Sequence, residues 1–365
     1  MGLQCGIIGI TNVGKTTIFN CMSSTKAQAS NFAFSSNKSN ISIINVPDSR
    51  LYVLEKFQPT DRTVHTTVEI VDIPGLAKGS NKGEGVGNSF LGDIRNCDAL
   101  IHVLRCFDDE NLAHVDGSVD PVRDIETVNF ELQVKDLESI EKKIQKLEKV
   151  AKTGDKDAKH GIEVLNVYKN HLESLQSART APVEESDKRF IADIFLLSTK
   201  PVIYVCNVDE SSAVNGNKYV DKVKEFLKSE TTEILIIAGK VEADISELES
   251  EEDRSAFLKD VGLSEPGVNK LIRAAYTLLD LETFFTIGQK ENRAWTIKKG
   301  MTAPQAAGVI HSDLERGFIR AEVIKYNDFI TLGSEHACKE KGKLHVEGKT
   351  YIVEDGDILH IRFNV

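Results

Sequence analysis

The fold of this chain is decided by the stretch Gly9-Ile10-Thr11-Asn12-Val13-Gly14-Lys15-Thr16, which matches the pattern G-x-x-x-x-G-K-[ST] in full. Residues 6–10 predict a short buried strand before it, and residues 17–22 predict a helix after it. In that context backbone amides surround phosphate oxygens, and the helix N-terminus adds its positive end. The stretch therefore predicts a phosphate-binding loop, in which Lys15 reaches the β- and γ-phosphates and the Thr16 hydroxyl ligates Mg²⁺. The alternative is a glycine-rich turn that binds nothing.

The composition of the 365-residue chain predicts a globular protein of two or three domains. Its net charge of −11 argues against binding nucleic acid by charge alone, so we expect no DNA partner. No run reaches the roughly 18 apolar residues of a membrane helix, so we expect no membrane partner. The six cysteines are scattered and the first residues do not resemble a signal peptide, which predicts reduced thiols in a cytoplasmic protein.

Apolar runs later in the chain predict a mainly parallel sheet. Four of them have the length and composition of buried strands: 68–72, 99–104, 201–207 and 233–238. Continuous apolar strands that alternate with helical patterns are typical of an α/β sheet covered on both faces. The predicted nucleotide-binding domain, a P-loop NTPase core, therefore covers residues 1–125 and 199–281.

Residues 126–198 interrupt these strands with a helical pattern. Apolar residues recur at spacings of three and four on both sides of a turn signal at residues 152–156: Leu137, Ile140, Ile144 and Leu147, then Leu165, Tyr168, Leu172 and Leu175. This spacing predicts an inserted helical hairpin with coiled-coil-like packing. Two interpretations stay open, a solvated arm and a docking arm for a partner.

Residues 282–365 predict a third domain. Strand-like runs at 295–297, 317–323 and 351–353 are separated by turns that contain glycine. The segment has twelve basic and twelve acidic side chains and is neutral, unlike the acidic remainder. Aromatic and basic side chains on such strands predict contact with RNA. The alternative is that the aromatic residues form the core, and we favour it for Trp295 and Phe318.

The segment Asp72-Ile73-Pro74-Gly75 follows the strand at 68–72 and predicts a nucleotide-sensing switch. Asp72 is placed to hold Mg²⁺, and the amide of Gly75 to sense the γ-phosphate. We expect Ser36, in a polar segment, to complete the Mg²⁺ shell; the alternative is an ordinary surface loop. Leu76 stands where related enzymes use a glutamine to orient water, which predicts slow basal hydrolysis.

The segment Cys206-Asn207-Val208-Asp209-Glu210 ends a predicted strand where related proteins contact the base. Guanine readers present N-K-x-D, whereas this chain has valine at the lysine position and the longer Glu210 at the aspartate position. These differences favour ATP over GTP, although a carboxylate remains. We expect a backbone amide near Gly239, in a second loop of small residues, to meet the base.

Motifs along nearly the whole chain resemble the YchF subfamily of Obg-like ATPases. They include the P-loop, Asp72-Ile73-Pro74-Gly75-Leu76, Arg293-Ala294-Trp295-Thr296-Ile297 and Thr302-Ala303-Pro304-Gln305-Ala306-Ala307. The resemblance implies a ribosome-associated, stress-related ATPase whose C-terminal segment is a β-grasp-like TGS domain. It implies ATP binding along the P-loop residues Asn12, Val13, Gly14, Lys15, Thr16 and Thr17. It further implies Mg²⁺ at Thr16 and Ser36 and base contacts near Asn207 and Val208. Thr11, Pro74 and Ser36 depart from the family's usual residues.

His114 is the candidate catalytic residue beside Lys15. It lies in a loop after the strand at 99–104, and the family that the chain resembles is thought to use a histidine there. The alternative is an ordinary surface histidine. A second hypothesis concerns Asn12, because an asparagine at this place helps to bind K⁺ in some relatives.

Three functions agree with these observations. The first is a ribosome-associated, Mg²⁺-dependent ATPase switch with slow hydrolysis that regulates translation or a stress response. Its partner is the large or small ribosomal subunit, with RNA contacted through the third domain. The second is a GTP-dependent, translation-type GTPase. The third is a nucleotide-gated binding protein with negligible catalysis.

Overall fold

The computed structural model describes residues 3–23, 40–75 and 86–364, so Ser36 and Leu76 lie outside the described residues. The chain forms two compact units. The first contains described residues 3–23, 40–42, 69–75 and 86–271, and the second contains 43–68 and 272–364. None of the described helices is both long enough and apolar enough to cross a bilayer.

The first sheet has the strand order β2-β4-β1-β5-β6-β7. Its strands are β1 (Gln4–Ile8), β2 (Asn40–Asn45), β4 (Thr67–Asp72), β5 (Ala99–Arg105), β6 (Val202–Asn207) and β7 (Glu233–Ile237), with β3 (Thr63–Val64) elsewhere. The pairings from β4 through β1, β5 and β6 to β7 are all parallel. Every residue of β5 and β6 is buried, as expected for strands covered on both faces.

Helices follow these strands and complete an α/β core. They are α1 (Lys15–Ser23), α3 (Val86–Asn96), α6 (Lys218–Phe226), α7 (Gly239–Glu247), α8 (Glu251–Val261) and α9 (Gly267–Leu278). The helix α2 (Ser49–Phe57) lies between β2 and β3 in the chain and belongs to the second unit. The helix α1 begins directly inside the predicted phosphate-binding loop, where the Ile18 amide donates to the Gly14 carbonyl. The carboxyl ends of β1, β5, β6 and β7 therefore point to the loops that carry the predicted site residues.

The helical insert is formed by α4 (Pro121–Ala151) and α5 (Lys156–Glu173). Asp120 caps the first helix through the Val122 and Arg123 amides, and Asp155 caps the second. Their facing sides share a core of Ile140, Leu165, Tyr168 and Leu172. One detail of the helical pattern is wrong, because Leu175 lies beyond α5, with φ +59° and 64% of its surface exposed. The bounds 126–198 of the insert stay a prediction.

The second unit contains a mixed sheet of order β11-β10-β12-β8-β9-β3. Its remaining elements are β8 (Leu281–Thr286), β9 (Asn292–Lys298), α10 (Ala303–Ile310), α11 (Ser312–Arg316), β10 (Phe318–Lys325), α12 (Tyr326–Leu332), α13 (Glu335–Glu340), β11 (Leu344–Glu347) and β12 (Asp357–Phe363). The prediction of a strand at 351–353 is wrong, because these residues form only one isolated β-bridge, between Ile352 and Thr302.

Residues 43–68 belong to this second unit, whereas the sequence placed them in the nucleotide-binding domain. Leu51 and Leu54 of α2 are fully buried in a cluster with Phe285 and Ile358. Their partners lie more than 200 positions away in the chain, so local patterns do not reveal the pairing. The three-domain division of the sequence stays a prediction.

Two aromatic residues proposed for RNA contact are parts of the core, as the favoured alternative predicted. Phe318 is 5% exposed and packs in a cluster with Phe284. Trp295 packs against the same cluster, its ring stacked on Phe284 at 6.4 Å, and its Nε1 donates to Thr286 Oγ1 at 2.9 Å. Both rings therefore stabilise the domain.

Candidate functional site

A cavity of about 920 Å³ opens at the carboxyl ends of β1, β5, β6 and β7. It is lined by Asn12, Gly14, Lys15, Thr16, Thr17, Phe107, Asp108, Asp109, Leu112, Asn207, Val208, Asp209, Glu210, Ser211, Gly239, Lys240 and Ala243. Ligands of open α/β sheets bind at this edge, and the volume is that of a small-molecule site. The loops after four separate strands thus meet around one space.

The P-loop packs closely against the end of β6. Gly14 has φ +96°, and a Cβ there would lie 2.3 Å from Asn207 Nδ2, so a larger residue does not fit. Val13 is buried, whereas Thr16 and Thr17 are exposed towards the cavity. Asn12 has φ +62°, an unusual value for a residue other than glycine.

Lys15 is a buried cation at the head of α1. Its side chain is only 7% exposed, and Nζ donates to the Ile10 carbonyl at 2.6 Å. Burial lowers the pKa of the Lys15 amine to about 8, although the Asp72 carboxylate opposes this shift. The amine thus lacks a full counter-charge, and an anion in the cavity would supply one.

Thr16 and Asp72 form an oxygen pair beside this lysine. Thr16 Oγ1 donates to Asp72 Oδ2 at 3.2 Å. Burial raises the pKa of Asp72, while the Thr16 hydroxyl and Lys15 oppose the rise. A hydroxyl and a carboxylate are hard oxygen ligands, so this pair fits Mg²⁺. A Cβ on Gly75 would lie 2.8 Å from Lys15 Nζ, which places the backbone of Gly75 against the amine.

Asn207, at the end of β6, connects the P-loop to the start of α7. Its Nδ2 donates to the Val13 carbonyl at 2.9 Å, and its Oδ1 accepts from the Gly239 amide at 2.9 Å. The side chain is 5% exposed. Both ends of the amide are thus used by the protein, so Asn207 fixes the positions of the P-loop and of α7.

The two carboxylates that follow β6, Asp209 and Glu210, have different environments. Asp209 accepts from Ser211 Oγ at 2.7 Å and from the Ser212 amide at 2.9 Å, and these bonds lower the pKa of Asp209. Glu210 is exposed and lines the cavity. Val208, which replaces the lysine of guanine readers, is 3% exposed. The predicted base contacts of these residues stay predictions.

Arg105 is a functional candidate that the sequence analysis missed. It is 2% exposed, and its guanidinium donates to three carbonyls, those of Phe107 at 3.1 Å, Asp109 at 3.1 Å and Leu112 at 2.8 Å. The guanidinium also lies 4.9 Å from the centre of the Phe107 ring. It therefore shapes the loop 107–112, one wall of the cavity. The sequence feature that could have identified Arg105 is a charged residue at the end of an apolar strand.

We expect Arg105→Met to lower the free energy of unfolding of the first unit by about 3 kcal/mol, because three carbonyls lose a charged donor in a buried place. Urea denaturation followed by circular dichroism measures this. The matched control, Lys222→Met, removes a positive charge from an exposed position, and we expect a change of less than about 0.5 kcal/mol. Equal effects of the two substitutions would contradict the assigned role.

His114 lies near the site but is not a cavity-lining residue. Its side chain is 4% exposed and its Nε2 lies 3.2 Å from Asp124 Oδ2, which excludes an ordinary surface histidine. Among described residues, His114, Asp116 and Asp124 are close enough to suggest a metal site. Arg123 Nε, however, lies 3.6 Å from the carboxylate of Asp116 and 3.8 Å from that of Asp124, so a guanidinium already supplies the positive charge.

Comparisons with known proteins agree with this geometry. Residues 281–364 match the family model YchF-GTPase_C, described as a protein of unknown function (DUF933), and residues 4–166 match MMR_HSR1, described as a 50S ribosome-binding GTPase. The chain is 46% identical to the Ribosome-binding ATPase YchF of Bacillus subtilis and 47% identical to that of Escherichia coli O157:H7, with 100% of each sequence covered. The chain belongs to the YchF family.

A solved structure confirms the fold expected for a YchF protein. The Schizosaccharomyces pombe YchF GTPase is 33% identical to this chain and superposes on it with a TM-score of 0.87. The superposition covers 99% of this chain and 98% of the Schizosaccharomyces pombe chain. The predicted α/β core with a parallel sheet and a C-terminal sheet domain is therefore confirmed. The chain has the P-loop nucleotide hydrolase architecture of the YchF family.

Proposed function

We propose that this chain is a ribosome-binding ATPase that binds Mg²⁺ and ATP in the cavity and hydrolyses ATP slowly. The observation that carries the proposal is the cavity itself. It joins the cationic Lys15 and the hydroxyl of Thr16 at one end to Val208, Glu210 and Gly239 at the other. A nucleoside triphosphate needs both kinds of surface within one site. Relatives that are ribosome-binding ATPases by name support the same function.

The preference for ATP rests on the base end of the cavity. Guanine recognition needs a carboxylate held in place to accept from two N–H groups of the base. Asp209 is committed to its own turn through Ser211 and Ser212, and Glu210 is an exposed side chain on a short helical turn, Glu210–Ser212. Val208 offers an apolar wall instead of a lysine stem. This arrangement supports a base without guanine's donor pair.

Calorimetry of ATP and GTP binding in the presence of Mg²⁺ tests the proposal. We expect tighter binding of ATP, and we expect Glu210→Asp, which restores the shorter carboxylate, to improve the binding of GTP relative to ATP. Tighter binding of GTP by the unmodified protein would overturn the ATP preference. In that case the GTPase alternative, which agrees with the relative described as a GTPase, would stand.

Different residues of this chain have different roles in the proposed hydrolysis. Bound Mg²⁺, held by Thr16 and Asp72 with Ser36 proposed as a further ligand, would neutralise charge on the phosphates. Lys15 binds the β- and γ-phosphates, and the Gly75 amide senses the γ-phosphate. We propose His114 as the group that orients the attacking water, since Leu76 has no hydrogen-bonding side chain. Slow basal turnover follows from these roles.

A second candidate is a nucleotide-gated binding protein with negligible catalysis. It is favoured by one observation: both ring nitrogens of His114 have protein partners. The rate of hydrolysis in the presence of ribosomes separates the two functions. Stimulated turnover supports the ATPase, and the absence of turnover at saturating ATP supports the gated binder.

The proposed partners are the ribosome, through either subunit, and RNA contacted by the C-terminal domain, in the cytoplasm. Relatives named for ribosome binding support the first. For the second, Arg320 and Arg362 stand opposite each other on β10 and β12. Arg362 is held by an ion pair with Glu322, with 3.0 Å between Nη2 and Oε2, and Arg320 is exposed, so Arg320 is the side chain that we propose for contact with an anionic partner.

We also propose that K⁺ assists hydrolysis through Asn12. Its Nδ2 donates to the Ala113 carbonyl at 3.2 Å, which leaves the amide oxygen as an acceptor next to the cavity. A monovalent cation there would place positive charge beside the phosphates. We expect kcat to be about tenfold higher in KCl than in NaCl at equal ionic strength. The Asn12→Ala variant should lose the difference, and equal rates in both salts would remove the role.

A further inference from the structure

Both ring nitrogens of His114 are engaged, which fixes its tautomer. The Asp116 backbone N–H donates to Nδ1 at 3.1 Å, and the Arg123 guanidinium, which can only donate, lies 3.5 Å from the same nitrogen. Because Nδ1 accepts, the proton of the neutral ring is on Nε2, which donates to Asp124 Oδ2 at 3.2 Å. In this arrangement neither nitrogen is open to water or to a phosphate.

The partner of this histidine is buried and incompletely hydrogen-bonded. Asp124 is 1% exposed, and its other oxygen, Oδ1, accepts no hydrogen bond. Arg123 Nε, which also has no acceptor, lies 3.8 Å from that oxygen. Burial raises the pKa of Asp124, and the bond from His114 opposes the rise. A buried carboxylate without a donor is costly, and the unused Arg123 Nε beside it is the group that can replace His114 as the donor to Asp124.

The segment 113–119, which contains His114, is held at both ends and is hydrogen-bonded to the P-loop between them. Arg105 holds the Leu112 carbonyl on one side, and the Asp120 cap fixes the start of α4 on the other. Between them, the carbonyl of Ala113 accepts from Asn12 Nδ2. Asn12 lines the cavity, so a ligand that engages its amide competes directly with the residue next to His114.

We propose that Asp124 is a positioning residue that stores His114 in a retracted position until a nucleotide engages the P-loop. We call the His114–Asp124 bond and the Asn12–Ala113 bond together the histidine latch. This inference rests on the proposed function, because it concerns regulation of the same site. A ligand shifts such an equilibrium only by interacting differently with the two states, and Asn12 provides that difference.

The first test measures turnover in variants of the latch. We expect Asp124→Ala to raise basal kcat about threefold or more, since turnover scales with the fraction of molecules in the competent state. We expect KM for ATP to fall as well, because ATP no longer has to break the latch, and we expect the gain in kcat to disappear when His114→Ala is combined with it. Glu126→Ala removes an exposed carboxylate from the same end of α4 and should change nothing. A lower kcat in Asp124→Ala would contradict the proposal that Asp124 stores His114 in a retracted position.

The second test observes the ring itself by nitrogen NMR, with His114 assigned from the His114→Ala spectrum. We expect the Nε2–H tautomer in nucleotide-free protein, and a changed signal after addition of Mg²⁺ and a non-hydrolysable ATP analogue. Asp124→Asn, which preserves shape, covers the case in which Asp124→Ala does not fold, and should weaken the nucleotide-free signature. An Nδ1–H tautomer without nucleotide overturns the latch whether or not ATP binds. Calorimetric binding of the analogue with an unchanged His114 signal overturns it while leaving the proposed function intact.

Discussion

Lys15→Met is expected to weaken ATP binding by at least about 100-fold, because two charge-assisted hydrogen bonds to phosphate contribute about 3 kcal/mol or more. The amine is buried at the head of α1, where its Nζ donates to the Ile10 carbonyl of the P-loop, and Lys15 lines the cavity. Methionine keeps the apolar stem, so the effect reports the charge. Calorimetry with Mg²⁺ and ATP measures it, and circular dichroism checks the fold.

Lys240→Met is the matched control for this substitution. Lys240 also lines the cavity, but it is exposed at the start of α7. An exposed lysine contributes little to binding compared with a desolvated one, and we expect less than about a fivefold effect. If both substitutions weakened binding equally, a general positive field rather than the P-loop lysine would hold the phosphates.

The same lysine should make ATP binding dependent on pH. Burial lowers the pKa of Lys15 to about 8 in the nucleotide-free protein, and phosphates beside it favour the protonated form and raise that pKa again. Above pH 8 the complex therefore holds more protons than the free protein. Binding takes up a proton, and affinity falls as the pH rises, by at most about tenfold per pH unit. Calorimetry at pH 8.5 in buffers of different ionisation enthalpy measures the uptake, which Lys15→Met should abolish.

The sequence predicts those parts of the site that depend on local order in the chain. Lys15 and Thr16 follow their glycine by fixed steps, so the P-loop pattern alone places them at a helix start. The sequence also predicts Asp72, Asn207 and Gly239, because each ends or directly follows an apolar run, and parallel strands bring their carboxyl ends to one edge. The strand order β4-β1-β5-β6-β7 then assembles these residues around the cavity.

Contacts between distant residues of unremarkable type could not be predicted. Arg105 binds three backbone carbonyls, which every residue has, so the sequence holds no mark of its acceptors. Asp124 is one of 56 acidic residues, and nothing local distinguishes it as the partner of His114. Asn207 contacts the Val13 carbonyl across 194 positions. Such pairings depend on the packed structure.

His114→Ala is expected to lower kcat about 100-fold, the usual size of a lost acid–base or water-orienting group. The dissociation constant for ATP should stay near that of the unmodified protein, because His114 does not line the cavity in which we propose that ATP binds. Rapid-quench measurement of phosphate release, without ribosomes and with them, gives kcat. Calorimetry with a non-hydrolysable analogue gives the affinity.

The comparison of kcat with affinity separates catalysis from structure. A substitution that merely loosened the start of α4 would disturb Asp124 and the nearby wall at Leu112, and would weaken ATP binding together with turnover. Loss of kcat alone identifies an interaction made in the transition state. His336→Ala, at a histidine 82% exposed in the second unit, should change neither. Unchanged turnover in His114→Ala, basal and ribosome-stimulated, would show that another group orients the water, and the buried His114–Asp124 pair would then be structural.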